Sequence, residues 1–293
     1  MESNSVTQIV LPLALFSIML GVGMSLKLAD FRILFHEPKA VFLGVTAQLI
    51  LLPILGVITV FVFDLPSAIA IGIMVLTFAP GGATSNMITY LCRGDTALSV
   101  CLTGVTGLIT PFTMPLLTLL TIDVVLGEQQ AMIFPVAETI FKLLIIALFP
   151  VILGAVINHK WPGFCLRSQK IIKTVAGTFL IMVVFVIVKS NWGHLPDLLR
   201  QAGPAVICLV VLAMSAGYII ARKARLSKEQ GLTLSVEVGI QNAAIALLIT
   251  GGILQNSEMS ASALIYGVLM NVPAFALITY RNWPQKRTEG RLV

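Results

Sequence analysis

Uncharged or nearly uncharged runs of about twenty residues recur along this chain from end to end. They fall at about 8–26, 40–62, 67–92, 96–121, 131–157, 174–188, 203–221, 231–253 and 261–280. A helix of roughly twenty apolar residues crosses the hydrocarbon core of a bilayer while closing its own backbone hydrogen bonds. Two of the nine runs carry ionisable residues, Glu138 and Lys142 in the fifth and Glu237 in the eighth. With 57% of its 293 residues hydrophobic and 11% charged, the chain lies far from the composition of a soluble domain. It reads as an all-α polytopic membrane protein of about nine transmembrane helices, in a single integral membrane domain over 1–293.

A net charge of +6 raises the question of nucleic acid, and the distribution of the charge answers it. Sixteen of the 19 basic residues follow odd-numbered runs, among them Lys27, Arg93, Arg167, Arg225 and Arg287. Asp64, Asp123, Glu128, Asp197 and Glu258 occupy the intervening connections. By the positive-inside rule the N-terminus lies outside and the C-terminus in the cytoplasm. The charge reports topology, and no nucleic-acid partner is expected. Glu2 in place of a basic cluster, and an apolar run that ends at Lys27 without a cleavage site, argue against a removable signal.

The remaining reactive residues suggest little chemistry. Cys92, Cys101, Cys165 and Cys208 form no CxxC pair, so neither a zinc site nor a disulfide framework is indicated. His36, His159 and His194 are expected in loops, the longest of which are read at roughly 158–173 and 189–202. Glu138 and Lys142, four residues apart, share a helix face and can pair with each other.

Polar groups at depth are concentrated in six runs. Gln48 lies in the second, and Ser99, Thr103, Thr106 and Thr110 form one helical stripe in the fourth. Asn271 stands two residues before Pro273 in the ninth. Hydroxyls in membrane helices often only bond back to a carbonyl or join helices, so no single one is diagnostic. The third run, "TFAPGGATSNMITY", is harder to dismiss: Pro80, Gly81 and Gly82 interrupt it and Thr84, Ser85 and Asn86 follow. The eighth contains "EVGIQN", with Glu237, Gly239, Gln241 and Asn242. A carboxylate at that depth costs a few kcal/mol unless it is paired or solvated, and no basic residue sits at a matching depth in the second, third, fourth or ninth run.

Two glycine-interrupted helices in corresponding parts of two halves point to a secondary transporter with inverted repeats. A broken helix offers N–H groups to an anion and carbonyls to a cation. Proton coupling through Glu237 is a second reading of the same site. An intramembrane hydrolase would need a nucleophile with a base, or a metal, and the runs hold no histidine, no aspartate cluster and no HExxH. No enzymatic activity and no conventional cofactor are expected. Polar rings can also line a channel, which saturable, ion-coupled flux would distinguish from a carrier.

At these residues the chain resembles the bile acid:sodium symporter (BASS) family, particularly its bacterial members. The likeness covers nearly the whole chain and is strongest in "PGGATSNMITYLCRGDTALSV" and "EVGIQNAAIAL", with support from "GMSLKLADF". It implies a nine-span version of a ten-helix fold, with two discontinuous helices crossing in a core domain beside a smaller panel. The panel would hold runs 8–26, 131–157 and 174–188, and the core the other six. It further implies two sodium sites, the first from Ser85, Asn86, Ser99, Thr103 and Glu237. The second would use Gln48, Glu237 and Gln241 with backbone oxygens of Val238 and Ile240. An organic anion, bile-acid-like or a small carboxylate, would bind near Ala83, Thr84, Asn86, Asn242 and Asn271. The sequence departs from the family pattern on this substrate side: Ala83 and Thr84 are exchanged, Ala243 and Ala244 replace Ser-Gly, and Met270 and Ala213 stand in place of histidines. The implied activity is sodium-coupled symport across a bacterial inner membrane.

Overall fold

The computed structural model describes residues 5–127 and 134–283. All regular structure among them is helical. Helix α1 runs Ser5–Gly23, and a 3-10 turn Leu28–Arg32 with a one-turn helix Ile33–His36 connects it onward. Helix α2 is Pro38–Val62, α3 Ser67–Thr77, α4 Ala83–Leu91 and α5 Thr96–Leu126. Then come α6, Val136–Lys160, α7, Pro162–Ser190, and α8, Leu195–Lys223. Helix α9 is Lys228–Gly239. Helix α10, Ala243–Leu247, continues through a π-helical turn Leu248–Ile253. Helices α11, Ser257–Leu269, and α12, Asn271–Asn282, close the described chain.

Six helical stretches among the described residues are long and apolar enough to cross a membrane: Pro38–Val62, Thr96–Leu126, Val136–Lys160, Leu195–Lys223, Lys228–Ile253 and Ser257–Asn282. Large apolar side chains such as Phe42, Phe61, Phe141, Ile181 and Phe275 stand exposed on the outer faces. Around helices long and apolar enough to cross a bilayer, such a surface belongs against lipid. The protein is a multi-pass membrane protein.

The helix ends follow local chemistry. Asp95 starts α5 by accepting the Leu98 N–H at 3.0 Å, and Ser227 starts α9 in a reciprocal pair with Gln230. Asp64, Arg93 and Arg225 adopt left-handed backbone at φ 46°, 58° and 60°. Each is followed by an N–H that reaches back five residues: Leu65 to Val60, Gly94 to Thr89, Leu226 to Ala221. This closure satisfies the last carbonyls of α2, α4 and α8. None of the three residues is glycine, so the composition of these turns conceals them.

Two loop expectations are corrected. Residues 158–173 are almost wholly helical, because Pro162 starts α7 at its first turn only one residue beyond the end of α6. Proline suits that position since its missing N–H would have no helical partner there. Likewise α8 starts at Leu195, so most of 189–202 is helix. His36 and His159 accordingly sit in last helical turns rather than loops, while His194 does lie in a turn. The Glu138–Lys142 pair forms on α6 at 2.6 Å. Residues 131–133 of the fifth run lie outside the described residues.

Helix α1 packs along α6 and α7. Gly23 faces the Val151 backbone and Gly154 faces the Leu20 carbonyl, where a Cβ would lie 2.5 Å away. The absence of side chains lets α1 and α6 touch backbone to backbone. Helices α2, α3, α5, α8, α9 and α11 enclose one another, with α8 against α9 and α3 against α11 as the closest pairs. The Lys228–Ile253 stretch is the most enclosed, 94% buried against 22–44% for the other five long stretches. Glu237, the one buried carboxylate among the described residues, lies in it.

Candidate functional site

Both interrupted runs are broken where the sequence places the breaks. Residues 78–82 separate α3 from α4, and residues 240–242 separate α9 from α10. At the first break Pro80 supplies no N–H, and Gly81 and Gly82 contribute little to hold a helix. The breaks meet: Asn242 donates its backbone N–H to the Pro80 carbonyl at 2.9 Å. Gly82 lies against the Asn242 side chain. Two backbone groups that lost helical partners thereby satisfy each other.

Glu237 lies two residues before the end of α9 and is fully buried. Its Oε1 is 2.6 Å from Ser99 Oγ and its Oε2 3.2 Å from Thr103 Oγ1. The same two hydroxyls approach Asn86 Oδ1 at 2.7 and 3.3 Å. Ser99 and Thr103 are one turn apart at the start of α5, which explains how both reach one carboxylate. Ser85, in the first turn of α4, exchanges hydrogen bonds with the Gly82 backbone. A Cβ on Gly81 would lie 2.6 Å from Glu237 Oε2 and 3.0 Å from Thr103 Oγ1. Only a residue without a side chain lets the first break close over the carboxylate.

Ser99 and Thr103 own one hydroxyl proton each and between them face the Asn86 amide and both oxygens of Glu237, so one asparagine, two hydroxyls and a carboxylate share a single polar cluster. No ion pair reaches Glu237 among the described residues, where the only carboxylate–ammonium pair is Glu138–Lys142. An oxygen-lined site with one carboxylate and no basic partner offers the donor set that a hard cation takes. Among the described residues no group of three His, Cys, Asp or Glu could bind a softer metal.

Beside it, Gln48 and Gln241 form a second buried polar group. Gln48 donates through Nε2 to Gln241 Oε1 at 3.0 Å, and Gln241 donates through Nε2 to the Glu237 and Val238 carbonyls, both at 3.0 Å. Gln48 Oε1 is buried and has no hydrogen-bond partner among the described residues. A buried acceptor left unpaired costs about 1–3 kcal/mol, and a cation would satisfy it. Gln48 stands in a π-helical turn, Ala47–Leu51, a local widening that recurs at functional sites. The carboxylate of Glu237 points to the Ser99 cluster, while its main-chain carbonyl faces Gln241.

The expected substrate-side residues are less closely gathered. Ala83 and Thr84 are exposed at the start of α4, and Asn86 is half-buried. Asn242 accepts the Ala244 N–H at 3.2 Å and points its amide towards Met19 Sδ at 3.9 Å. Asn271 donates to the Gly267 and Val268 carbonyls of its own helix turn, next to the interruption that Pro273 imposes. Thr106 bonds back to Leu102 and does not join the cluster. A cavity of about 50 Å³ adjoins Gly81, Gly82, Thr103 and Asn242 and runs between α5 and the α1–α6 pair, past Met19, Thr110 and Leu143. That is room for about four waters and not for a large anion.

Several partners carry no sequence signal. The Gln241 N–H at the second break is 3.4 Å from Met270 Sδ, and Thr233 bonds the Asp95 backbone, tying α9 to the start of α5. A methionine or threonine in a membrane helix has a core role by default. Only the spatial meeting of the breaks reveals these contacts.

Residues 12–196, more than half of the chain, match the model of the Sodium Bile acid symporter family. An uncharacterized sodium-dependent transporter of Bacillus subtilis is 28% identical over 273 residues, covering 92% of this chain and 81% of that protein. A probable sodium/metabolite cotransporter of rice chloroplasts is 28% identical over 231 residues, 79% of this chain and 55% of that protein. The human ileal sodium/bile acid cotransporter is 28% identical over 239 residues, 80% of this chain and 66% of that protein. The chain therefore spans little more than half to two thirds of the plant and human relatives. The chain belongs to the Sodium Bile acid symporter family, a family of transporters and not of enzymes.

Proposed function

We propose that the protein is a sodium-coupled symporter that imports an organic anion by alternating access across a bacterial inner membrane. The observation that carries the reading is the Glu237 carboxylate, fully buried without a basic partner, facing Ser99, Thr103 and Asn86 where the two breaks meet. One sodium ion would bind Ser85, Asn86, Ser99, Thr103 and Glu237. A second would bind Gln48, Glu237, Gln241 and the carbonyls of Val238 and Ile240. The unpaired Gln48 Oε1 supports the second site. The printed names of relatives, sodium-dependent transporter and sodium/bile acid cotransporter, support sodium as the coupling ion.

The reading extends to nine spans in two inverted repeats, with the N-terminus outside. Pairing between helices supports it. Helix α3 packs on α11 as α9 packs on α5, and α4 packs on α5 as α10 packs on α11. Exchanging each span with the one five places along reproduces both pairings. The α1–α6–α7 group would be the panel and the remaining helices the core. The anion would bind at the seam between them, near Ala83, Thr84, Asn86, Asn242 and Asn271. The small cavity along that seam fits a conformation closed around the site.

Sodium binding would neutralise Glu237 and hold the breaks together, after which core and panel move past each other. The driving force is adequate. A potential of 100 mV supplies about 2.3 kcal/mol per charge, and a tenfold gradient adds about 1.4 kcal/mol per ion. Two sodium ions with one monovalent anion then have roughly 5 kcal/mol available. Uptake of a panel of organic anions into proteoliposomes, each with and without sodium, tests the proposal. Glu237→Gln is expected to reach the membrane and to lose sodium-dependent uptake. Undiminished uptake in that variant refutes the role of the carboxylate. Uptake driven by a pH gradient alone, without sodium, would establish proton coupling instead.

A further inference from the structure

A groove of about 740 Å³ lies on the outer face of the α8, α9 and α12 cluster, away from the seam between α1, α5 and α6. Two cations line it, Lys228 at the start of α9 and Arg281 near the end of α12, together with Tyr218, Tyr280 and Trp283. Among the described residues no carboxylate lines it. Its remaining walls are mostly apolar, with Val211, Leu232 and Leu277, and also hold Ser215 and Ser235. Val211 on α8 and Phe275 on α12 are exposed beside it, as are Tyr280 and Trp283 at 78% and 69%.

The charges here are available. Lys228 is exposed and has no ion-pair partner among the described residues. Arg281 is held by one bond, from Nε to the Cys92 carbonyl at 3.3 Å, which fixes the side chain and leaves its terminal nitrogens without a bond among the described residues. A groove with cations and indole or phenol rings at one end and mostly apolar walls beyond it matches an amphiphile lying along the protein, with its anionic group at the membrane surface.

We infer that this groove binds one anionic phospholipid, with the phosphate between Lys228 and Arg281 and the acyl chains along α8 and α12. Charge selects this occupant over the chain's own last ten residues. Those carry Lys286, Arg287 and Arg291 against Glu289, so they are repelled by the two cations. The inference depends on the membrane placement of the chain and not on the sodium site. Because α9 begins at Lys228 and carries Glu237 two residues before its other end at Gly239, the lipid would grip the far end of the helix that carries the buried carboxylate.

The test uses the full chain purified from membranes and exchanged into nanodiscs of equimolar phosphatidylglycerol and phosphatidylcholine. Lipid retained after transfer to detergent is counted by native mass spectrometry. The wild type is expected to retain phosphatidylglycerol preferentially. Each removed charge should lower retention about fivefold, equivalent to ~1 kcal/mol, in Lys228→Gln and again in Lys228→Gln/Arg281→Gln. Arg222→Gln, an exposed cation outside the groove, should change nothing. Lys228→Gln alone suffices if loss of the Arg281 contact with Cys92 disturbs folding. Equal retention in Lys228→Gln and wild type, or equal retention of the two lipids, overturns the inference. So does equal thermal stabilisation by inorganic phosphate and by phosphatidylglycerol, which would make the site one for a free anion.

Discussion

Gly81 illustrates how a residue with no side chain can be indispensable to a charged site. A Cβ there would meet Glu237 Oε2 at 2.6 Å, inside any real carbon–oxygen contact. Gly81→Ala is therefore expected to displace the carboxylate and raise the sodium concentration for half-maximal uptake about tenfold or more, a loss of ~1.4 kcal/mol. Gly163→Ala, where an added Cβ meets nothing within 4 Å, should leave that concentration unchanged. A sodium titration of uptake in the two variants checks both. At this scale the sequence was informative about charge and poor about company. Glu237 stood out because a lone acid in an apolar run has few explanations. Ser99 and Thr103 could be assigned a face but not a partner, since period alone does not say which helix that face meets. The contacts of the Met270 thioether and the Pro80 carbonyl were hidden, because a sulfur or a main-chain oxygen carries no compositional mark of its partner.

At the scale of the element, the breaks were legible and the helix ends were not. Proline with two glycines interrupts a membrane helix for reasons any local reading can find. By contrast, Asp64, Arg93 and Arg225 close helices in a left-handed conformation usually left to glycine. The start of α7 was missed because Arg167, Lys170 and Lys173 suggested a solvated loop, whereas the backbone through them is helical from Pro162. The α1–α6 contact depends on small residues instead of polar ones. Gly154→Ala would place a Cβ 2.5 Å from the Leu20 carbonyl and 2.6 Å from the Met24 nitrogen. Such overpacking costs about 1–3 kcal/mol. The expected result is a lower melting temperature in detergent with sodium affinity preserved, measured by thermal unfolding beside the uptake titration. A fall in sodium affinity without loss of stability would contradict this division of labour.

For the whole molecule, the proposed stoichiometry makes transport electrogenic. Two sodium ions with one monovalent anion carry one net positive charge inward. Initial uptake should accordingly rise when a potassium diffusion potential makes the vesicle interior negative. An electroneutral response would require a different stoichiometry. That the chain is an all-helical, multi-pass membrane protein was legible, since length and polarity dictate what a bilayer admits; the arrangement of helices was not, because apolar side chains in lipid pack with little preference for partner. The stitch between Asn242 and Pro80 has a wider implication. It joins two distant parts of the chain through main-chain atoms alone, so mutation can vary the neighbouring side chains without cutting it. In the proposed cycle an ion held there would travel inside an undivided block, as freight in a sealed wagon, and would meet water only when the block reached one platform or the other.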